Sequence, residues 1–493
     1  MNKLKKSLAL IATLAIASSA FVACGDDSSS SSTADAGSSS TAESSAEGGD
    51  SSTGEEGGES STADTPVERP DNKVASTDDK LTVLCWTGDD LNNMFKVFAD
   101  NNDKGYTTDN LVFEKVGGGG EEARDQYPTY FNSGKDVDLF VLEADWIKDY
   151  IDKDDLTAPL TDLGFAEADF DNGYEYVKKI GTNDAGVIKG SSWQATPGGY
   201  VYRTDIAEEV FGAKTPEEFQ QYVDNWEVFT ESAAKVKEQK NMAMVDTLGG
   251  LWQVWSYKRT SAWADDSYNL VIDDYCKEYA DLAKEYYDKG YVTKAEQWKT
   301  WDKAVQNGET MGIFQCTWCF GKNGTLSSLE GNTKTEDDAT EWTVDGPFGS
   351  NWAFTQGPSG WAWGGSWLAL SPKANSGEIA HDFVEFFTIN AETMRKYAEY
   401  SGDFVNSPAA MKAIVDAGTN KNAYIGGQDQ YGIFYEAAAN IKMDNVTRYD
   451  SVLKKYFSDN ISKYVQGAYS STDEAIDGFK KDVKANVPDL AVS

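Results

Sequence analysis

From residue 81 onward, hydrophobic and polar positions alternate in a strand–helix rhythm. Leu81 to Trp86 is a short β-prone apolar run, Leu111 to Val116 is a second strand candidate, and Val137 to Leu142 is an unbroken apolar run. Runs of this length, bounded by polar turns, predict strands buried in a largely parallel sheet. Met94, Phe95 and Phe98 recur at helical spacing after the first strand. The four glycines Gly117 to Gly120 form a turn opening a polar helix over Glu121 to Asn132. Strand, helix, strand, helix, strand is the order of an α/β domain.

The middle and end of the chain are more helical. Thr215-Pro216-Glu217-Glu218 and Ser471-Thr472-Asp473-Glu474 are capping boxes, the first with proline at the first helical position. Helices are expected over Trp226 to Gln239, Asp273 to Lys289 and Glu378 to Tyr400, the last with Asn390 as a restart cap. His381, the single histidine, falls off the apolar face of that helix and reads as an ordinary helix residue. The Gly117–Gly120 run lacks both the Lys-Ser/Thr of a phosphate loop and the G-x-G-x-x-G spacing, and Glu121 and Glu122 would repel phosphate.

The first 80 residues follow different rules. Lys3, Lys5 and Lys6 precede an apolar stretch from Leu8 to Ala20, which has the length of a signal-peptide core and is short for a bilayer span. Phe21-Val22-Ala23-Cys24 resembles a bacterial lipobox, with Phe21 where leucine is usual and Cys24 as the lipidated residue. Residues 24–80 hold 14 acidic and three basic residues among Ser, Gly, Thr and Ala, with no aromatic side chain. Such a segment cannot bury enough apolar surface to offset its ordering entropy and predicts a solvated tether. The expected layout is a signal peptide over 1–23, a tether over 24–80 and a folded body beyond, exported and lipid-anchored to a membrane.

Charge narrows the partners. The 493 residues carry a formal charge of −37, from 44 Lys and Arg against 81 Asp and Glu. A surface this acidic excludes nucleic acid as a natural partner and disfavours anionic ligands. The sequence has no G-x-S-x-G and no H-E-x-x-H. Cys316-Thr317-Trp318-Cys319 matches C-x-x-C, but no second such pair follows, so it reads as two small semi-buried residues around a tryptophan; redox chemistry or half a zinc site are the alternatives. No cofactor and no metal are expected.

Aromatic residues make up 13%, with 15 tryptophans, many beside glycine or polar residues. An indole plate covers the C–H face of a sugar ring, while carboxylates and amides bond its hydroxyl rim. Ligands of parallel sheets sit beyond the carboxyl ends of strands. That places Trp86 and Asp89 after the first strand, and Glu143, Asp145 and Trp146 after the third. Trp252 and Trp255 in the Gly-Gly-Leu-Trp stretch, and Trp367 behind Gly364-Gly365, complete this part of the candidate set.

Four segments resemble family-1 extracellular solute-binding proteins of ABC importers, the group of the maltodextrin-binding protein, over about residues 80–493. They are Trp86 with Thr87 to Asp90; Gly199-Tyr200-Val201-Tyr202-Arg203-Thr204-Asp205 followed by Asn225-Trp226-Glu227-Val228-Phe229; Val305-Gln306-Asn307-Gly308-Glu309-Thr310-Met311, with Thr310 in place of the usual Ala; and Gly364 to Leu370 with the helix Ile379 to Phe387. The resemblance implies a two-lobed periplasmic-binding-protein-like α/β fold with a discontinuous chain path. One lobe would hold 81–197 and 364–426, the other 198–363 and 427–493. It adds Trp318 as a sugar-stacking aromatic and implies an oligosaccharide ligand, ABC permease subunits as partners, and binding without chemistry. The alternatives are a polyamine-type cation binder of the same fold, a surface carbohydrate-capture protein, or a glycoside hydrolase using two carboxylates.

Overall fold

The structure, a computed structural model, describes residues 68–297, 299–320, 326, 351–443 and 445–493. The signal segment, Cys24 and the tether up to residue 67 lie outside the described residues.

Two five-stranded mixed sheets organise the body. The first has the order β2-β1-β3-β10-β4, built from β1 (Leu81–Cys85), β2 (Leu111–Lys115), β3 (Leu139–Glu143), β4 (Gly190–Ser192) and β10 (Ser366–Leu370). The second has the order β7-β6-β8-β5-β9, built from β5 (Gly198–Arg203), β6 (Ala243–Thr247), β7 (Val292–Ala295), β8 (Thr310–Cys316) and β9 (Trp352–Thr355). In each sheet three parallel strands meet an antiparallel fourth: β10 runs against β3 and β4, and β5 runs against β8 and β9. All three strands expected in the first sheet form there. They are buried because every residue of β1 and β3 except Thr82 and Glu143 is fully covered.

The helix signals act as local chemistry requires. Thr215 accepts from Glu218 N–H at 3.3 Å and Ser471 from Glu474 N–H at 3.2 Å, satisfying donors that the first helical turn leaves free. Asn390 accepts from Glu392 and Thr393 N–H and divides the expected long helix into Gly377–Thr388 and Ala391–Ser401. Its apolar face, Ile379, Phe383, Phe386 and Phe387, packs against Phe98 and Phe95 of the helix Gly88–Asn101. His381 is half-buried, stacks on Phe165 at 4.3 Å and hydrogen-bonds Leu163 O through Nδ1.

The body begins earlier than composition indicates. Residues 68–80, assigned above to the tether, run along the first sheet's side. Arg69 pairs with Asp169 at 3.0 Å and Glu385 at 2.9 Å, and Asn72 Nδ2 donates to Gly377 O. Ser76 bridges to Ser376, and its hydroxyl accepts from Glu378 N–H at 2.9 Å, capping the helix Gly377–Thr388 from outside. This ordering comes from partners some 300 residues away, which composition cannot register.

The chain crosses between the strands of the two sheets at two places, and the crossings pair with one another. Residues 193–197 link β4 to β5, and residues 356–365 link β9 to β10. Gly198 N–H donates to Trp361 O at 2.9 Å and Trp363 N–H to Thr196 O at 3.0 Å. A third segment joins them, with Ala195 N–H on Phe404 O and Asn406 N–H on Trp193 O, both at 3.0 Å. Gly198 has no room for a side chain: an added Cβ would stand 2.2 Å from Trp361 Cζ2. Gly198→Ala must displace that indole, which is itself fully buried. Overpacking of this kind costs about 1–3 kcal/mol. The variant is expected to unfold at a lower urea midpoint with an unchanged slope; an unchanged midpoint would show that the crossing tolerates the added methyl.

Candidate functional site

Trp86 follows β1 directly and is half-buried. Beneath it lies Trp146, 5.8 Å away at 60°, itself packed edge-on against Tyr127 and Tyr150. Gly120, at the start of the helix Gly120–Phe131, leaves the gap they share: a Cβ there would sit 3.6 Å from Trp146 Nε1, 3.7 Å from Trp86 Cε2 and 3.8 Å from Glu143 Cβ. The glycine turn thus has a use beyond reversing the chain.

Glu143 ends β3 opposite Ser366 of β10. Its Oε2 accepts from Asp145 N–H at 3.0 Å. Burial, and then the neighbouring Asp145 carboxylate, push the Glu143 carboxyl up to about 8, against the opposing pull of that hydrogen bond and of Lys454. At neutral pH it is therefore largely protonated and offers both an O–H donor and an acceptor.

Asp145 meets Lys454 of the helix Asp450–Val465 at 2.6 Å. Burial lowers the Lys454 ammonium, but Asp145 and Asp450 outweigh it and hold the charge. That helix packs on Asp274–Lys289 and Thr472–Asn486, beside the second sheet, so the ion pair ties one side of the molecule to the other. Arg124 Nη1 adds a second tie to Ser451 Oγ at 3.2 Å.

The opposing wall comes from the second sheet. Trp318, in the short helix Thr317–Phe320 after β8, is half-buried and donates Nε1–H to Trp363 O at 2.9 Å. The two indoles stand 5.8 Å apart at 71°. Gly364 follows with φ +66°, a left-handed conformation that suits glycine. A Cβ on it would lie 3.4 Å from Trp318 Nε1 and 3.9 Å from Glu143 Oε1. Trp86 and Glu143 from one sheet and Trp318 from the other therefore converge at the carboxyl ends of β1, β3 and β8.

The remaining predicted residues are distributed around this point. Trp146 is 1% exposed and supports Trp86 from below. Trp367 is buried, with Nε1–H donated to Val177 O at 3.1 Å, and its ring fills the space beside Gly365. Trp255 is buried in the second side's core, bonded to Tyr275 O and covered by Lys258 at 3.8 Å. Trp252 lies at 6.0 Å from Tyr275 and edges a cavity of about 40 Å3 beside Tyr257, Arg259, Met443 and Lys454. Trp252 also lines a larger cavity of about 490 Å3 with Leu248, Gly249, Tyr279 and Gln297, on the side of the second sheet. The backbone of Asp89 lies in the helix Gly88–Asn101, and its side chain falls outside those described.

Lys454, Trp363 and the gap at Gly120 belong to the site beyond the residues expected from the sequence. Trp363 shared the glycine-flanked signal of Trp367. Lys454 had no signal, since nothing in the sequence links position 454 to position 145. Among the described residues one further group has potential metal ligands, His381, Asp382 and Glu385, with ligand atoms within 4.8 Å of one another. His381 is held by Leu163, Glu385 by Arg69, and Asp382 by Tyr106.

Two mixed sheets joined by paired crossings, with aromatic and carboxyl groups where their strand ends meet, define the two-lobed α/β fold of family-1 extracellular solute-binding proteins. A crystal structure described as extracellular solute-binding protein family 1 aligns with a TM-score of 0.69 at 17% identity, covering 82% of this chain and 99% of its own. The ABC-transporter-associated binding protein from B. animalis subsp. lactis Bl-04, solved with beta-1,6-galactobiose, aligns at 0.62 and 15%, covering 84% and 100%. The sugar-binding protein MalE from Xanthomonas citri aligns at 0.63 and 15%, covering 82% and 96%. No protein-family model and no curated protein matches the sequence. Among the described residues no helix is long and apolar enough to cross a membrane.

Glu143 gives a pH test. Folded, it keeps its proton up to about 8, whereas unfolded it loses it near the ordinary 4.5. The stabilisation from the neutral buried form is complete below the lower value and is lost as pH rises through the upper one. Glu143→Gln is permanently neutral. Its melting temperature is expected to match wild type near pH 5 and to gain on it steadily towards pH 9. A difference that stays constant over that range would refute the raised carboxyl.

Proposed function

We propose that this chain is the substrate-binding lipoprotein of an ABC transporter, anchored through Cys24, that captures a neutral oligosaccharide and delivers it to a membrane permease. What supports the reading is that Glu143 lies beside Gly120, next to Trp86, and beside Gly364, next to Trp318, so that an indole from each sheet stands near one buried carboxyl. Indole faces suit the C–H face of a pyranose, and a protonated carboxyl can both donate to and accept from its hydroxyls. Trp86, Glu143, Asp145 and Trp318 form the contact set, with Asp89 beside Trp86. Trp146 and Trp367 support it from beneath, and Trp252 and Trp255 shape the second lobe's side.

The lobes comprise 81–197 with 364–426 and 198–363 with 427–493, the strap 68–80 adding to the first. Ligand enters when the paired crossings flex and the Asp145–Lys454 tie parts; sugar contacts to both walls then favour the closed form. Two solved neighbours are described as binding proteins of an ABC transporter, one with beta-1,6-galactobiose and one from Bifidobacterium longum with lacto-N-biose, which supports sugar capture.

Charge separates this reading from a polyamine binder of the same fold. A cationic ligand needs ionised carboxylates at the site. Here Glu143 is neutral and Asp145 is already paired with Lys454. A glycoside hydrolase could use a protonated carboxyl as its acid, so release of reducing ends from an oligosaccharide is what separates that reading from binding.

Tryptophan fluorescence and thermal shift on residues 68–493, against neutral oligosaccharides and polyamines, test the reading. A sugar is expected to raise the melting temperature by mass action and to shift indole emission. Trp86→Ala and Trp318→Ala should each weaken that sugar roughly thirtyfold, the loss of about 2 kcal/mol typical of a central aromatic anchor. Sugar binding at wild-type strength in both variants would remove the site. A response to polyamines alone would replace the ligand, and release of reducing ends would replace binding with hydrolysis.

A further inference from the structure

The C-x-x-C pair lies directly beneath the second wall of the site. Cys316 closes β8 and Cys319 stands one turn on, in Thr317–Phe320. Both are fully buried, and their sulphur atoms are 3.9 Å apart. Residues three apart in a helical turn place their Cα atoms roughly 5 Å apart, within the span of about 4.4–6.8 Å that a disulfide bridges. Side-chain rotation and a small local adjustment would bring the sulphurs to the roughly 2 Å of an S–S bond. The other described thiols are placed elsewhere, Cys85 on β1 and Cys276 in the helix Asp274–Lys289. Among the described residues no third His, Cys or carboxylate joins the pair, so a tetrahedral metal site is not assembled there.

The residue between the two cysteines is Trp318. Its Nε1–H and the Cys316 sulphur approach the same acceptor, Trp363 O, at 2.9 Å and 3.7 Å. The turn, the crossing segment and the thiol pair are thus one packed unit. We propose that Cys316 and Cys319 form a disulfide in the exported protein, and that this bond stiffens the turn presenting Trp318.

The chemistry is exchange with an external disulfide. One cysteine thiolate attacks a sulphur of the oxidant and expels the first thiolate. The second cysteine thiolate then attacks the mixed disulfide and expels the other. The protein loses two hydrogens, and the oxidant gains them as two thiols. Burial pushes the folded Cys316 thiol well above its ordinary value, which makes the finished fold a poor partner for exchange. The bond therefore forms while β8 is still accessible during folding after export, and the closed core then shields it from reductants. The first half of the proposal rests on the export reading, and neither half requires that the ligand be a sugar.

The test uses the full chain, exported by its own leader, and the same chain made in a reducing cytoplasm. Each is denatured in iodoacetamide without reductant and digested with trypsin. Residues 304–322 form one peptide holding Cys316 and Cys319 and no other cysteine. From the exported chain this peptide is expected unalkylated and lighter by two hydrogens, with Cys85 and Cys276 alkylated. The cytoplasmic chain should carry two alkyl groups on the peptide, and a second portion of it, unfolded and refolded with oxidised glutathione before alkylation, should carry none. Full alkylation of Cys316 and Cys319 in both the exported and the refolded chain overturns the proposal, as does a bridge from either to Cys85 or Cys276. Near-ultraviolet circular dichroism reads the second half. The signal difference between wild type and Trp318→Phe should weaken when the bridge is reduced; an unchanged difference overturns the stiffening role.

Discussion

The site depends on the backbone pairing where the chain crosses between its two sheets. Residues 193–198, 361–366 and 403–406 lie side by side through Gly198–Trp361, Trp363–Thr196, Ala195–Phe404 and Asn406–Trp193 hydrogen bonds. These bonds set how far apart the strand ends of the two sheets stand. Gly364 belongs to one of these segments, takes a left-handed φ of +66°, and lies between Trp318 and Glu143. A thin ribbon of crossing segments can bend where a packed core cannot, which is why hinge motion localises in such places. The fully buried Trp193 and Trp361 keep water from the same bonds.

The electrostatics of the site run against the character of the whole chain. The sequence carries 81 acidic residues, yet two carboxyls near the strand ends, Glu143 and Asp145, are offset by burial and by an ion pair. Glu143 is neutralised by its own proton, because burial and the adjacent Asp145 both penalise ionisation. Asp145 is neutralised by Lys454. The remaining acidity serves solubility at the surface.

The strap at residues 68–80 shows how composition misleads near a boundary. Its stretch is as polar as the segment before it, and by burial alone it has no reason to order. Arg69 between Asp169 and Glu385, Asn72 on Gly377 O and Ser76 capping a distant helix give it that reason. Hydrogen-bonded partners replace the missing apolar surface. The strap also supplies a cap that the helix Gly377–Thr388 lacks locally, since Ser376 makes no side-chain capping bond.

The sequence by itself determined what is local. Apolar runs set β1, β2 and β3; Thr215, Asn390 and Ser471 set helix starts within a residue; and the strand-end rule brought Trp86 and Glu143 into the candidate set, because periodicity, capping and chain direction act over a few residues. The family-like segments carried the two-lobed fold and pointed to Trp318. Only the tertiary structure decided which tryptophans face an opening and which fill a core. Trp146 and Trp367 carry the same local signals as Trp86 and Trp318, yet Tyr127 and Tyr150 enclose the first and Val177 holds the second. Nor could sequence pair Asp145 with Lys454, 309 positions away, or bring the Cys316 and Cys319 sulphurs to 3.9 Å beneath an indole. Side-chain exposure and ion pairing are properties of the surfaces that meet, and those surfaces come together only when both sheets and their crossings are in place.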